Sequence, residues 1–154
     1  MQLSHLRRRT RGVHLIDHLL RNVRTGRFER SLSGLTAASA LVTGIEVYAE
    51  HYRASFGDKW MWTPVWLTPP LVAAGVAGVF SRSLAKTVLP LFAALYTANG
   101  LIGTWYHVRG VHRRPGGWRY ATYNVPMGPP LMAPGLMSMV GGMGLLAAVL
   151  RRER

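Results

Sequence analysis

Cysteine is absent from all 154 residues, which excludes disulfides, thiolate metal sites and cysteine nucleophiles in any compartment. Acids are scarce: six face nineteen lysines and arginines, for a formal net charge of +13. There is no Gly-rich phosphate loop, Ser-His-Asp set or zinc-protease motif, so no residue is assigned a catalytic role. No Glu-x-x-His spacing occurs, which argues against a zinc or di-iron site, and no metal ligands are assigned. A cleaved signal peptide is not expected, since thirty residues precede the first apolar run. The paired arginines of "LRRRTRG" lack the apolar segment that follows a twin-arginine export signal, and read as a cytoplasmic basic anchor. Nucleic acid is not an expected partner either, because the arginines flank hydrophobic spans instead of lining a soluble face beside polar base readers.

What the chain has is apolar length. Residues 1–30 hold eight arginines and no apolar run longer than two, whereas almost everything from Leu32 to Leu150 is apolar, glycine or aromatic. A bilayer core about 30 Å thick takes about 20 helical residues. Four segments qualify: 32–52, 67–83, 87–107 and 130–150. The expected fold is therefore all-α, a basic tail over residues 1–30 followed by a four-helix transmembrane domain over 31–154. Trp60, Trp62 and Trp66 suit the headgroup layer before the second span, and Pro69 and Pro70 suit a first helical turn. Lys and Arg counts favour a cytoplasmic N-terminus and C-terminus, thirteen inside against six outside, although four arginines between 108 and 128 oppose the trend. That orientation fits a bacterial inner membrane. In the tail, Val13, Ile16, Leu20 and Val23 recur at helical spacing with Arg11, Arg21 and Arg24 on other faces. This predicts an amphipathic helix lying on anionic lipid. His14 and His18 lie on its wet side with no third ligand nearby.

The spans carry an internal repeat. A shift of 56 pairs Leu35, Ala37, Ala38, Gly44, His51 and Arg53 with Leu91, Ala93, Ala94, Gly100, His107 and Arg109. A shift of 60 pairs Pro69, Pro70, Leu71, Ala73 and Gly75 with Pro129, Pro130, Leu131, Ala133 and Gly135. The chain thus reads as two tandem pseudo-symmetric helical hairpins. Residues seven apart differ by only about 20° around a helix. Ala37, Gly44 and His51 therefore share one stripe, as do Ala93, Gly100 and His107, and these stripes are expected to face the bundle interior. Ala74 with Gly78, and Ser138 with Gly142, add small residues on the return helices.

Candidate chemistry gathers at the end predicted to face outward. Glu46 is the deepest charge, about one and a half turns inside the boundary, and should face protein or water. Glu50 lies one turn above it, and with Arg53 and Arg109 these acids are expected to form a buried ionic network joining the first and third helices. Two functional accounts compete with that structural one. His51 and His107 are suitable axial ligands for haem b, with the stripe glycines admitting a porphyrin. Alternatively, the histidines and Glu50, beside Trp62, Trp66, Trp105 and Tyr106, would bind and protonate a quinone head. The longest non-helical stretch, "RRPGGWRYATYNVP", presents Arg113, Arg114, Trp118, Arg119, Tyr120 and Tyr123. These suit either a partner protein or the bilayer surface.

The segments "EHYRASFGDKWMWTPVWLTPP" and "HVRGVHRRPGGWRYATYNVPMGPPLMAP" resemble a family of small, uncharacterised bacterial four-helix membrane proteins. That family is associated with genes for gluconate-dehydrogenase-like flavin oxidoreductases. The resemblance covers residues 31–150 and implies a membrane subunit serving a redox complex, with lipids and other membrane subunits as partners. A non-catalytic anchoring subunit is the leading expectation, a haem- or quinone-binding electron-transfer subunit the alternative, and a small transporter or channel with Glu46 in its pathway the third.

Overall fold

The computed structural model describes residues 27–151 together with Arg21 and Thr25. The segment expected to form the amphipathic tail helix, with His14 and His18, lies outside the described residues. Helices α1 (Arg27–Arg53), α2 (Trp62–Phe80), α3 (Arg82–His112) and α5 (Met132–Leu150) are each long and apolar enough to cross a bilayer, and the described residues contain no strand. A single short turn of helix, α4 (Ala121–Asn124), sits in the loop between α3 and α5. This is the architecture of a multi-pass membrane protein.

The four long helices form an antiparallel ring. Each packs on its neighbour in sequence, α5 closes back against α1, and α1 and α3 occupy opposite corners. The connections explain the up-and-down order. Ser81 alone joins α2 to α3: extended backbone (φ −125°) breaks the helix, and its side chain accepts from Leu84 N–H at 3.3 Å to cap the next. The second span therefore ends at Phe80, short of the expected 83. It also begins earlier, at Trp62, so Pro64 occupies the first turn. Pro69 and Pro70, expected in that turn, instead lie inside α2. They leave the Val65 and Trp66 carbonyls without helical donors.

Small residues set the helix spacing. A Cβ added to Gly75 would lie 2.9 Å from both Ala37 Cβ and the Ser33 carbonyl, and one on Gly141 would lie 2.6 Å from the Ala93 carbonyl. Gly44 and Gly100 are filled from across the groove by Thr68 and by Ser138 with Pro134. The expected interior stripes are thus in place on α1 and α3.

The 56-residue equivalence extends through the core, since buried Glu29, Ser33, Ala37, Ala40 and Gly44 map onto buried Ala85, Leu89, Ala93, Tyr96 and Gly100. The 60-residue equivalence does not survive. Gly135, its counterpart to the tightly packed Gly75, has nothing within 4 Å of a Cβ. Pro129 and Pro130 precede α5, whereas Pro69 and Pro70 lie well inside α2. The burial patterns coincide instead at 66 residues, with Thr68, Leu71, Ala74, Gly75 and Gly78 matching Pro134, Met137, Val140, Gly141 and Gly144. The cause is the turn between them. α3 runs to His112, beyond the Arg109 that corresponds to the last residue of α1, and the loop after it is longer, so the return helix enters the bundle later in the sequence.

Polar groups tie the ring together where lipid offers no substitute for them. Buried Tyr96 shares a 3.3 Å hydrogen bond with Thr68, and Asn99 donates to Thr63 Oγ1 at 2.8 Å, both between α2 and α3. Arg151, only 1% exposed, donates from Nη1 to the Gly78 carbonyl at 2.6 Å. A guanidinium from the end of α5 therefore caps the last turn of α2 across the ring, where the helix dipole favours positive charge.

Three substitutions check this packing. Gly142→Ala, in open space, should raise the melting temperature through helix propensity worth about 0.5–1 kcal/mol. Gly141→Ala, one residue away, should lower stability by about 1–3 kcal/mol through overpacking. Arg151→Met should lower the unfolding free energy in detergent by about 1.5–3 kcal/mol, as expected for a lost hydrogen bond from a charged group.

Candidate functional site at the loop end of the bundle

At the end opposite Ser81 the chain turns from α1 into α2 around one aromatic residue. Ser55 and Phe56 adopt positive φ (55° and 45°), a conformation that costs side-chain-bearing residues about 1–2 kcal/mol each. The Phe56 ring stacks on Trp62 with centroids 3.9 Å apart and touches Tyr48 and His51 at 5.7 and 6.1 Å. That packing offsets the backbone strain. The three-residue 3₁₀ turn that follows, Lys59–Met61, is capped by Asp58, whose side chain accepts from Trp60 N–H at 2.9 Å.

The expected buried ionic network is not formed. Glu50 pairs with Arg53 one turn away on the same helix, at the solvent-facing end. Arg109 lies over the Trp105 ring at 5.1 Å to the centroid, and Glu46 is exposed on the outer surface of α1 with no ion pair among the described residues. The physical reason is the ring order. With α1 and α3 at opposite corners, residues on their outer faces point apart, and the inner stripe is given over to Ala37, Gly44, Ala93 and Gly100. For the same reason Glu46 does not line a path through the bundle.

His51 and His107 are both half-buried on the inward side and within electrostatic range of each other. His107 Nδ1 lies 2.8 Å from the Pro130 carbonyl; since a carbonyl only accepts, Nδ1 carries a proton, and in the neutral ring Nε2 is then an acceptor. Haem does not fit between these helices. The glycines that would have admitted a porphyrin are covered by Thr68 and Ser138 from the intervening helices. Glu50, expected to accompany the histidines at a cofactor, is turned to Arg53.

The loop from 113 to 131 is folded. Asn124, 2% exposed, donates from Nδ2 to the carbonyls of Pro115 (3.1 Å) and Gly117 (2.8 Å), and Arg114 Nη1 donates to the Met127 carbonyl at 2.6 Å. Gly116 and Gly117 supply the left-handed conformations (φ 75° and 49°) that tighten the turn. Trp118, Tyr120 and Tyr123 stay exposed, with Arg113 and Arg119, while Arg114 is drawn inward. An open hollow of about 490 Å³ lies among His112, Arg114, Gly116, Gly117, Trp118 and Arg119.

Sequence reasoning missed four buried polar residues, Tyr96, Asn124, Glu29 and Arg151. Tyr96 and Asn124 hold the core and the loop, and Glu29 is 1% exposed in the first turn of α1 with neither carboxylate oxygen hydrogen-bonded. For Glu29 and Arg151 the one available signal was charge at a span boundary, which ordinarily marks an exposed helix end. No protein-family model, curated protein or solved structure matches the chain.

Asn124 is the residue on which the loop's shape depends. Asn124→Ala should leave two carbonyls unpaired and cost about 1–3 kcal/mol locally. Hydrogen–deuterium exchange should accelerate across 113–126 while α1 and α2 keep their protection.

Proposed function

We propose that this chain is a non-catalytic integral subunit of a larger bacterial inner-membrane complex of redox or energy-transducing type, with both termini cytoplasmic. One observation carries the reading: Glu46 stands exposed on the outward side of α1 beside exposed Val42 and Ile45. Glu46 lies six residues beyond Ala40, the midpoint of α1, or about 9 Å along the axis. A hydrocarbon core about 30 Å thick centred on the bundle extends about 15 Å from that midpoint, so the carboxylate falls within it. A charge facing lipid there costs about 2.5–3.5 kcal/mol on insertion scales, a cost removed when a neighbouring protein presents a cation or hydrogen-bond donors. The tightly packed interior supports a scaffolding role, as does the resemblance of the two loop segments to small membrane proteins associated with flavin oxidoreductases. The basic tail complements this by holding anionic lipid on the cytoplasmic side.

His107 favours a second reading. Its Nε2 acceptor, at the same end of α3 as Trp105 and Tyr106, suits the hydroxyl of a reduced quinone, a quinol. A quinone extracted with the purified protein, and lost in His107→Leu, would establish that role in place of the first.

The leading reading is tested on native membranes solubilised in mild detergent. The wild-type chain should migrate with a larger assembly, and Glu46→Leu should weaken that association roughly tenfold or more while retaining helicity and melting temperature. A wild-type chain that runs alone, or an assembly indifferent to Glu46→Leu, overturns it.

A further inference from the structure

The cationic hollow beside the α3–α5 loop has no part in the reading above. We propose that it binds the phosphate of an anionic lipid headgroup, with Arg114 and Arg119 as its charged contacts. Three of its lining residues are basic or imidazole-bearing, His112, Arg114 and Arg119, and none is acidic. The whole stretch from Val108 to Leu131 holds four arginines and no aspartate or glutamate, so its charge is balanced from outside the loop.

The hollow is a built feature. Arg114 is fixed by its Nη1 bond to the Met127 carbonyl, while its buried Nε has no hydrogen-bond partner. Asn124 clamps the backbone at Pro115 and Gly117 on the rim. A Cβ at Gly117 would lie 2.9 Å from the His112 carbonyl, and one at Gly116 would run into the Tyr120 ring, so both glycines are required for this close fold. Arg119 is exposed and makes no side-chain hydrogen bond among the described residues, which leaves its planar fork for an oxyanion.

The surroundings select a lipid over a soluble anion or a protein carboxylate. Exposed Trp118 lines the hollow, and exposed Tyr120 and Met127 border it beside Gly116 and Arg114. Amphipathic aromatics at the end of a spanning helix sit at headgroup level, where their rings meet acyl chains and their polar edges meet water. A phosphodiester bound here would leave its glycerol and chains over that aromatic rim.

The test uses the full chain in nanodiscs of phosphatidylcholine containing phosphatidylglycerol, with native mass spectrometry of the lipid retained on the ejected protein. The wild type should retain phosphatidylglycerol preferentially, and Arg119→Gln should reduce that preference about fivefold, equivalent to the ~1 kcal/mol of one arginine at an anionic surface. Arg114→Gln with Arg119→Gln should abolish it, and Arg119→Lys should restore part of it. Because Arg114 also supports the loop, Arg119→Gln alone is the deciding variant, with unchanged hydrogen exchange over 113–126 as its folding control. Equal retention of both lipids by the wild type overturns the proposal, as does a preference unaffected by Arg119→Gln. It is also overturned if inorganic phosphate, or a carboxylate-bearing partner protein, binds through these arginines while phosphatidylglycerol does not.

Discussion

The bundle depends on how closely its helix backbones approach. Around Gly75 the neighbours are Ala37 and the Ser33 carbonyl, and around Gly141 they are the Ala93 carbonyl and Thr97, with no room for a further carbon. In lipid there is no hydrophobic drive to hold helices together, so dispersion contacts at such crossings and a few interhelical hydrogen bonds must do it. Thr68–Tyr96 and Asn99–Thr63 supply those bonds on one side of the ring, and Ser138, 3.3 Å from the Thr97 carbonyl, supplies one on the other. This closeness has a functional consequence. Space given to backbone contact at these crossings is denied to a cofactor or a permeation path.

The two ends solve different problems. At the Ser81 end, Arg151 reaches Gly78 O, and Gly78 packs against Ser33, one turn from the buried Glu29 carboxylate. Opposite charges are thereby drawn around one crossing, and the α1 dipole favours the acid in its first turn. At the loop end, charges are exposed and aromatic residues are clustered, with Phe56, Trp62, Trp105 and Tyr106 forming the layer that suits a membrane surface.

The helices and the inward stripes were legible because they rest on composition and on a seven-residue spacing of small residues, both of which survive any tertiary arrangement. Ala37, Gly44, Ala93 and Gly100 are where that spacing places them. The register of the return helices was not legible. The P-P-L match at 129–131 is a stronger local pattern than the 66-residue match of buried residues, but register is fixed by the length of the preceding turn, which spacing alone does not encode. The ionic network failed for a related reason: a sequence places Glu46 and Arg109 at one end of the bundle, yet only the ring order decides whether their helices are adjacent or opposed. Glu29 and Arg151 were hidden because charges at span boundaries are ordinarily solvated, and burial there follows from packing across the ring.

The duplication explains which outer residues matter. At the closest helix contacts the inner residues of α1 and α3 are identical, Ala37 with Ala93 and Gly44 with Gly100, because both halves need small residues there, whereas Ser33 and Leu89, or Ala40 and Tyr96, share burial but not size. Outer positions are free of that constraint and have diverged: Glu46 corresponds to Ile102 and Glu50 to Tyr106, while Arg53 and Arg109 are kept. Ile102 is exposed and needs nothing from its surroundings but hydrocarbon, whereas Glu46 at the equivalent height needs a polar neighbour. A pseudo-symmetric bundle with one such residue therefore has one polar-demanding face and one lipid-compatible face. The cationic hollow lies beyond α3, on the half whose outer surface already suits lipid, and the lone carboxylate lies on the half whose outer surface does not. Under the two proposals the outer surfaces divide their roles, protein against α1 and lipid against the α3 loop, a division that the shared interior neither requires nor opposes.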